Sequence, residues 1–231
     1  MKILLPLKRW RILDLKNLMI ETNEFDKYST FAKVIQRFEK FKVLKSYRDS
    51  WTRRKYVYLT RFGEGFINLS DFPVSLSEEN IFHDLRVVEI VRDFSRVKGV
   101  SEIVLEHQIA NKKQFKTELS TIPDAEIYGE LNDKKFKLAI ELELTQKTKL
   151  RLTDKAKLYC NSSYNHVIYF FSSKETLENY KKLFDEVLDQ SYNDKIFLFL
   201  VKGIHSDQIN LVHSKGYVSR KWVSFGDIFK A

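Results

Sequence analysis

Three acidic side chains, which sequence alternation places on one face of a β-hairpin, are the residues of this chain best suited to chemistry. Apolar residues occupy every second position over 136–144, so Glu141 and Glu143 share the opposite face of a strand. The preceding run alternates in the same way and puts Asp124 on its polar face. The pattern therefore predicts a half-buried hairpin with a carboxylate cluster on its polar side.

The turn of this hairpin decides which carboxylates face each other. A two-residue loop of Asn132 and Asp133 places Asp124 opposite Glu141, and a four-residue loop places it opposite Glu143. A three-residue loop would mix polar and apolar side chains on both faces. In either favoured register the opposed Cβ atoms are about 4.5 to 5.5 Å apart, and like charges at that distance destabilise the pair. A divalent cation is one way to neutralise them, and a lysine or arginine from elsewhere is the other.

The composition is that of a globular protein. The 231 residues, 43% of them hydrophobic and 14% aromatic, leave room for one large domain or two modest ones. The apolar runs are much shorter than the roughly 20 residues of a membrane helix, and no signal peptide is recognisable, so we expect a cytoplasmic protein without a membrane partner. The single cysteine excludes an internal disulfide, and the histidine spacing makes zinc binding unexpected.

The positive charge is concentrated in two segments. Forty Lys and Arg against 31 Asp and Glu give a net charge of +9, which suits a polyanionic partner. Two basic patches favour extended contact with a phosphate backbone, so we expect double-stranded DNA as the partner. The expected contact residues are Arg48, Trp51, Arg53, Arg54 and Lys55 in the first patch and Lys147 and Lys149 in the second.

Residues 1–72 are predicted to form a winged helix-turn-helix DNA-binding domain. Helical spacing over 8–22 and a helix capped by Ser29 precede two predicted strands, 42–47 and 55–59, that flank a charged loop. In a winged helix the second helix enters the major groove and the loop contacts phosphates. Major-groove contacts are then expected from Lys33, Gln36, Arg37 and Lys40. The alternative is a small α/β protein-interaction module with a solvated cationic face.

Residues 73–231 are predicted to form an α/β (α+β) domain with a mixed sheet flanked by helices. Proline, serine and aspartate over 71–77 mark the domain boundary, and Ser75 with Glu78 predicts a capping box. The expected elements are a helix over 78–98, a strand over 103–109, the acidic hairpin, a helix over 150–160, a strand over 166–171, a helix over 174–188 and a strand over 195–201.

This order of helix, three strands, helix and strand, with Pro123-Asp124 opening the second strand and Glu141-Leu142-Glu143 ending the third, resembles the PD-(D/E)xK nuclease superfamily. The resemblance implies a restriction-endonuclease-like fold and magnesium-dependent cleavage of phosphodiesters. It also implies that Asp124, Glu141 and the backbone carbonyl of Leu142 hold Mg²⁺ or Mn²⁺.

Two further assignments come from the same resemblance. Glu89, on the predicted first helix, would be an additional metal-binding acid. Glu143 stands where the superfamily usually has a lysine, so the missing cation is expected from Lys147, Lys149 or Lys155. The implied catalytic set is Asp124, Glu141, Glu143 and Lys155. The competing interpretation is that the acids form the solvated face of an ordinary hairpin or pair with lysines of the following helix.

A closer resemblance is to the replication-relaxation and mobilisation-accessory (MobC-like) proteins of plasmids and integrative elements. It rests on the strand 56–60 followed by Gly63, on His83-Asp84-Leu85 and on the acidic motifs above. It implies a DNA-binding accessory protein that acts in conjugation, at a transfer or replication origin, with a relaxase or another mobilisation protein as partner. The alternatives are an active magnesium-dependent DNA endonuclease and a transcriptional repressor whose C-terminal domain forms a homodimer.

Overall fold

A computed structural model describes residues 2–67, 76–113, 121–131, 133–188, 194–204 and 209–229. The chain divides into two compact units, Met1–Val88 and Glu89–Ala231, each with its own sheet. The predicted boundary at 72/73 and the predicted cap Ser75 fall on residues outside the described ranges, so both stay predictions. Among the described helices none combines the length and apolar composition needed to cross a bilayer.

The first unit is a small antiparallel sheet with several short helices. Its elements are α1 (Leu5–Trp10), β1 (Ile12–Asp14), α2 (Leu15–Thr22), α3 (Tyr28–Lys40), β2 (Leu44–Arg48), β3 (Lys55–Leu59) and α4 (Arg61–Glu64). The strand order is β1-β3-β2, and both pairings are antiparallel. The hairpin of β2 and β3 matches the two strands predicted around the charged loop.

Two local predictions in this unit were wrong: the extent of the first predicted helix and the capping residue of the second. The helical spacing over 8–22 is interrupted by β1, because Asp14 caps a new helix by accepting the N–H groups of Lys16 and Asn17 at 2.9 and 3.0 Å. Helix α3 begins at Tyr28 after Lys27, so Ser29 lies within its first turn and does not cap it. The helix is held by its apolar stripe, of which Phe31 and Ile35 are buried.

The second unit contains a mixed seven-stranded sheet flanked by helices, as predicted. The elements are α5 (Ile81–Phe94), within which the division between the units falls, β4 (Val100–Leu105), α6 (Glu106–Lys113), β5 (Ala125–Leu131), β6 (Lys134–Glu143), α7 (Lys149–Cys160), β7 (His166–Phe171), α8 (Lys174–Val187), β8 (Ile196–Leu200), β9 (Lys215–Val218), β10 (Lys221–Ser224) and α9 (Phe225–Phe229). The sheet order is β10-β9-β8-β7-β6-β5-β4, with β6, β7 and β8 parallel and the other pairs antiparallel.

Some predicted bounds need correction. The strand predicted over 103–109 ends at Leu105, because α6 begins at Glu106 and the Gln108 side chain accepts the N–H of Leu105 at 3.0 Å. The helix predicted over 78–98 is the shorter α5. The strands β9 and β10 and the helix α9 were not predicted.

Helices α7 and α8 cover the face of the sheet that carries the acids. Leu152 and Ala156 of α7 and Tyr180 of α8 belong to one buried cluster with Ala139 of β6. Because Ala139, Glu141 and Glu143 alternate on β6, all three lie on the covered face. The prediction of a half-buried strand was therefore wrong over 138–143, where every residue is buried.

Candidate functional site

The register of the acidic hairpin is the one that a two-residue loop requires. Leu131 pairs with Lys134, and the ladder continues to Ala125 opposite Ile140. One step further along, Asp124 is level with Glu141. Asp133 has a φ of 60°, a conformation typical of tight hairpin turns, whereas Asn132 lies outside the described residues. Of the two registers left open by the sequence, the one that pairs Asp124 with Glu141 is present.

Asp124 is fixed to the neighbouring strand by its own side chain. Its Oδ2 accepts the backbone N–H of Leu142 at 2.7 Å, and its carbonyl oxygen accepts the N–H of Glu106 at 2.9 Å. The side chain is half-buried. The carboxylate therefore lies at the edge of the hairpin, beside the residue that follows Glu141.

Glu141 is held by two side chains of α7. Nζ of Lys155 lies 2.5 Å from Oε2 of Glu141, and the Tyr159 hydroxyl donates to Oε1. Lys155 and Tyr159 are four residues apart, so they share one face of the helix. Helix α7 begins after Thr148, whose hydroxyl accepts the N–H of Arg151 at 3.4 Å. A lysine from the following helix thus supplies the positive charge that the hairpin requires.

The electrostatics of this cluster follow from its burial. Burial, together with the charge of Asp124, raises the pKa of Glu141 to about 8, against the opposing effects of Lys155 and Tyr159. Burial opposes the charge of Lys155, yet Glu141, Asp124 and Glu143 together raise the pKa of this ammonium above its ordinary value. Lys155 is therefore a shared counter-charge for all three carboxylates.

Glu143 has a looser environment than Glu141. Its side chain is buried, and burial raises the pKa of its carboxyl above the ordinary value. Nζ of Lys147 lies 3.9 Å from Oε2, and this oxygen makes no hydrogen bond within the described part of the chain. Lys149, the other cation predicted to assist here, is exposed, and its Nζ lies 3.4 Å from Oε2 of Glu186. Lys155 is thus the predicted cation that hydrogen-bonds to the cluster.

The arrangement of these carboxylates does not fit a divalent metal as it stands. Oxygen donors such as Asp124 and Glu141 suit Mg²⁺ or Mn²⁺ by chemistry. However, both oxygens of Glu141 and one of Asp124 already accept hydrogen bonds. Across the described ranges no three His, Cys, Asp or Glu side chains are grouped as a metal site, so Glu89, half-buried on α5, forms no such group with the other two.

A second buried carboxylate, Glu126, was not singled out from the sequence. It accepts the hydroxyls of Tyr128 and Tyr164 at 2.5 Å each, and Nζ of Lys137 lies 3.2 Å away. Burial opposes its ionisation, but these hydrogen bonds and Lys137 lower the pKa of Glu126 below its ordinary value. The alternation of the strand and the pairing of Tyr128 with Lys137 were available signals, whereas Tyr164 lies after α7 and carried none.

The first unit presents the predicted DNA-contacting side chains of α3 to solvent. Lys33, Gln36, Arg37 and Lys40 are all exposed, while Phe31 on the opposite side of the helix is fully buried. Glu39 of the same helix lies 2.6 Å from Lys55. Lys55, which was predicted to contact DNA, is therefore paired with Glu39. The ion pair also neutralises the negative charge of Glu39 on α3.

The loop of the β2–β3 hairpin carries the other predicted contacts. Arg48, Trp51 and Arg53 are exposed, with 64% of Trp51 accessible, and Arg54 is half-buried. The Arg48 guanidinium donates to the backbone oxygen of Arg53 at 2.8 Å. These cations thus lie together at one end of the hairpin.

Comparison with known proteins gives weak likenesses in fold alone. No family model matches the chain, and no curated protein sequence matches it. The restriction endonuclease FokI bound to DNA is similar with a TM-score of 0.30 and 12% identity, over 88% of this chain and 42% of that chain. A second structure of FokI gives a TM-score of 0.27 and 12% identity, over 80% and 39%. The chain thus spans about two-fifths of the length of these structures.

Proposed function

We propose that this chain is a double-stranded DNA-binding accessory protein of a mobile element, whose second unit has a nuclease-like fold. The observation that carries the DNA-binding part is the exposed face of α3. Its four polar side chains are spaced i, i+3, i+4 and i+7, which places them on one stripe about 10 Å long. An α-helix with its side chains is about 10 to 12 Å in diameter, which fits the major groove, about 12 Å wide.

The chemistry of this stripe suits duplex DNA. Lys33, Arg37 and Lys40 contribute three positive charges that can contact phosphates or guanine edges, and the amide of Gln36 has the donor and acceptor needed for adenine. The unit has the element order of helix, strand, two helices and hairpin. A winged helix has this order, and the winged-helix assignment is part of the proposal.

The test compares two triple variants with the same net charge. Lys33→Ala/Arg37→Ala/Lys40→Ala removes the α3 cations, and Lys157→Ala/Lys174→Ala/Lys182→Ala removes three exposed lysines of the second unit. Fluorescence anisotropy with a duplex is measured over a range of salt concentrations. The α3 variant should lose about three units of salt slope, and the control should keep nearly all of it. Equal losses would indicate non-specific charge effects and contradict the use of α3.

The mobilisation role is the finer part of this proposal and is supported by the sequence resemblance. It predicts that the protein prefers duplexes from a transfer or replication origin to scrambled duplexes of equal length, by about 10³-fold or more. It also predicts that a relaxase of the same element nicks its origin faster when the protein is present. Equal affinity for both duplexes and no effect on nicking would reject this role.

A magnesium-dependent endonuclease is the second candidate, favoured by the close grouping of Asp124, Glu141 and Lys155. Activity would require Mg²⁺ or Mn²⁺ at carboxylates that Lys155 now neutralises. The test is nicking of plasmid DNA with either ion by the wild type, by Glu141→Ala and by the control Glu130→Ala, which alters an exposed acid of β5. Cleavage that only Glu141→Ala abolishes would establish the enzyme. Neither cleavage nor heat of metal binding would leave a binding protein.

A further inference from the structure

We infer that Arg86 is a positioning residue for DNA binding, because it fixes, through Asp49, the loop 49–54 that carries the cations of the β2–β3 hairpin. The inference rests on the proposed DNA binding. It adds a residue that has no exposed surface and therefore cannot contact DNA itself.

A fully buried ion pair joins the loop to helix α5. NH2 of Arg86 lies 2.7 Å from Oδ2 of Asp49, and both residues have a relative exposure of 0%. The guanidinium also lies 5.1 Å from the centre of the Phe82 ring. Charged residues are rarely buried so completely unless they are paired, so the contact constrains both partners strongly.

Asp49 in turn determines the shape of the loop. Its Oδ1 accepts the N–H of Trp51 at 3.2 Å, and its Oδ2 accepts the Thr52 hydroxyl at 2.8 Å. Its backbone closes the turn, because its N–H donates to Arg54 and its carbonyl accepts from Arg53. Arg53 adopts a φ of 58°, which is uncommon for a residue other than glycine. The carboxylate thus stabilises a turn that the sequence alone does not favour.

The same turn places the exposed cations. The Arg48 guanidinium is bonded to the backbone oxygen of Arg53, so its position follows the path of the loop. Trp51 and Arg53 lie two residues apart in the turn, and both are exposed. A loop that already has its bound shape loses less conformational entropy on binding. Arg86 therefore increases DNA affinity by fixing the loop before DNA arrives.

Two measurements test this role in the full-length protein. Hydrogen exchange over 49–54 reports the order of the loop without DNA, and exchange over α3 serves as a check on folding. Arg86→Met should accelerate exchange over 49–54 by at least about tenfold and leave α3 unchanged. Arg86→Lys keeps the charge but not the planar guanidinium, so it should give a smaller change. If Arg86→Met unfolds the protein, exchange over 49–54 in Arg86→Lys tests the positioning role instead.

Duplex affinity supplies the second measurement, through a double-mutant cycle. Arg86→Met should reduce the salt slope as Arg53→Ala/Arg54→Ala does, by about one unit for each phosphate that the loop no longer neutralises. Adding Arg86→Met to Arg53→Ala/Arg54→Ala should then cause little further reduction.

The outcomes separate this inference from the proposed function. Additive reductions in the cycle, or unchanged exchange over 49–54 in both Arg86 variants, would overturn the positioning role. Absence of duplex binding by the wild-type protein would overturn the proposed function, and with it the contribution to DNA affinity. In that case accelerated exchange over 49–54 would still support the control of the loop by Arg86.

Discussion

Lys155 is the residue on which the carboxylate cluster depends most directly. It lies against Glu141, which is only 2% exposed, and its own side chain is 23% exposed. A buried ion pair contributes little net stability compared with apolar residues of the same size, but removal of one partner leaves a charge without compensation. The two partners should therefore show strong mutual dependence.

A double-mutant cycle between Lys155 and Glu141 should reveal this dependence. We expect Lys155→Met to lower the free energy of unfolding by about 3 kcal/mol or more at pH 9, where Glu141 is ionised and Lys155 is still protonated. The combination with Glu141→Gln should cost less than the sum of the single changes, by about 0.5 to 3 kcal/mol. Urea denaturation measures each value. Lys157→Met, an exposed lysine of α7, is the control and should change stability by less than about 0.5 kcal/mol. If the effects of the single changes add, the contact between Lys155 and Glu141 contributes no coupling energy.

Glu126 should make stability depend on pH in the acidic range. Its pKa is lowered in the folded protein, so the unfolded chain binds more protons, and stability falls as pH drops. The contribution is complete above the ordinary glutamate pKa of about 4.3 and is lost as pH falls through the folded value. At pH 7, Glu126→Gln should cost about 1.5 to 3 kcal/mol.

The measurement for Glu126 is the urea midpoint of the wild type, Glu126→Gln and Glu130→Gln between pH 3 and pH 7. The difference between wild type and Glu126→Gln should shrink at the acid end. Glu130→Gln alters an exposed glutamate of the same strand and should follow the wild type throughout. A constant difference at every pH would mean that Glu126 does not ionise differently in the folded state.

At the scale of elements, the acidic hairpin depends on close packing of its backbone. A Cβ on Gly129 of β5 would lie 2.3 Å from the carbonyl oxygen of Gly99 and 2.3 Å from Cζ of Phe136. Gly99 itself has a φ of 89° and precedes the irregularity in the β4–β5 pairing. The strand therefore requires glycine at position 129.

Gly129→Ala should lower the free energy of unfolding by about 1 to 3 kcal/mol, because neither the carbonyl oxygen nor the ring can move away freely. Gly65→Ala is the matched control, since a Cβ there meets nothing within 4 Å. That change should be neutral or stabilising by up to about 1 kcal/mol. Thermal unfolding of both variants gives the comparison, and equal effects would contradict the close approach at Gly129.

The elements that local patterns could predict are those whose signals lie within a few residues. Period-two alternation and the turn at Asp133 give the hairpin β5–β6 and limit its register. Burial of its polar face was not predicted, because the helices α7 and α8 that cover this face lie outside the alternating segment and leave no mark on its pattern. Glu141 has the same local pattern whether it faces solvent or a helix.

Two other differences between the predicted and observed elements have specific causes: the early end of β4 and the hairpin of β9 and β10. The step from β4 to α6 at Glu106 occurs without glycine or proline, so nothing in the sequence marks the end of the strand. The turn between β9 and β10 uses Ser219 and Arg220, with φ values of 46° and 64°. Such turns normally contain Asn or Gly, so the sequence carried no turn signal for this hairpin.

At the scale of the whole molecule, the net charge of +9 favours a polyanionic partner, and the number of cations that contact phosphates determines how binding responds to salt. In the proposed DNA complex, three cations of α3 and three of the β2–β3 hairpin would make about six phosphate contacts, which predicts a slope of log K against log salt of about −5. Raising salt from about 50 to 200 mM should then weaken duplex binding by about 10³-fold. Anisotropy titrations provide the slope, and a value near zero would exclude a phosphate-contacting surface of this size.

The parallel pairing of β6 with β7 has a consequence for folding kinetics. Glu141 is level with Tyr169 in this pairing, and α7 lies in the crossover that joins the two strands. Lys155 lies within this crossover, 14 residues from Glu141, so the two side chains meet only when α7 packs on the face of the sheet. We expect this packing to follow the rate-limiting step of folding, in which the β6–β7 connection closes. We expect Lys155→Met to accelerate unfolding while refolding stays nearly unchanged, as stopped-flow chevron plots would reveal. The ion pair would then contribute chiefly to kinetic stability, because it would slow unfolding of the native state more than it would speed refolding.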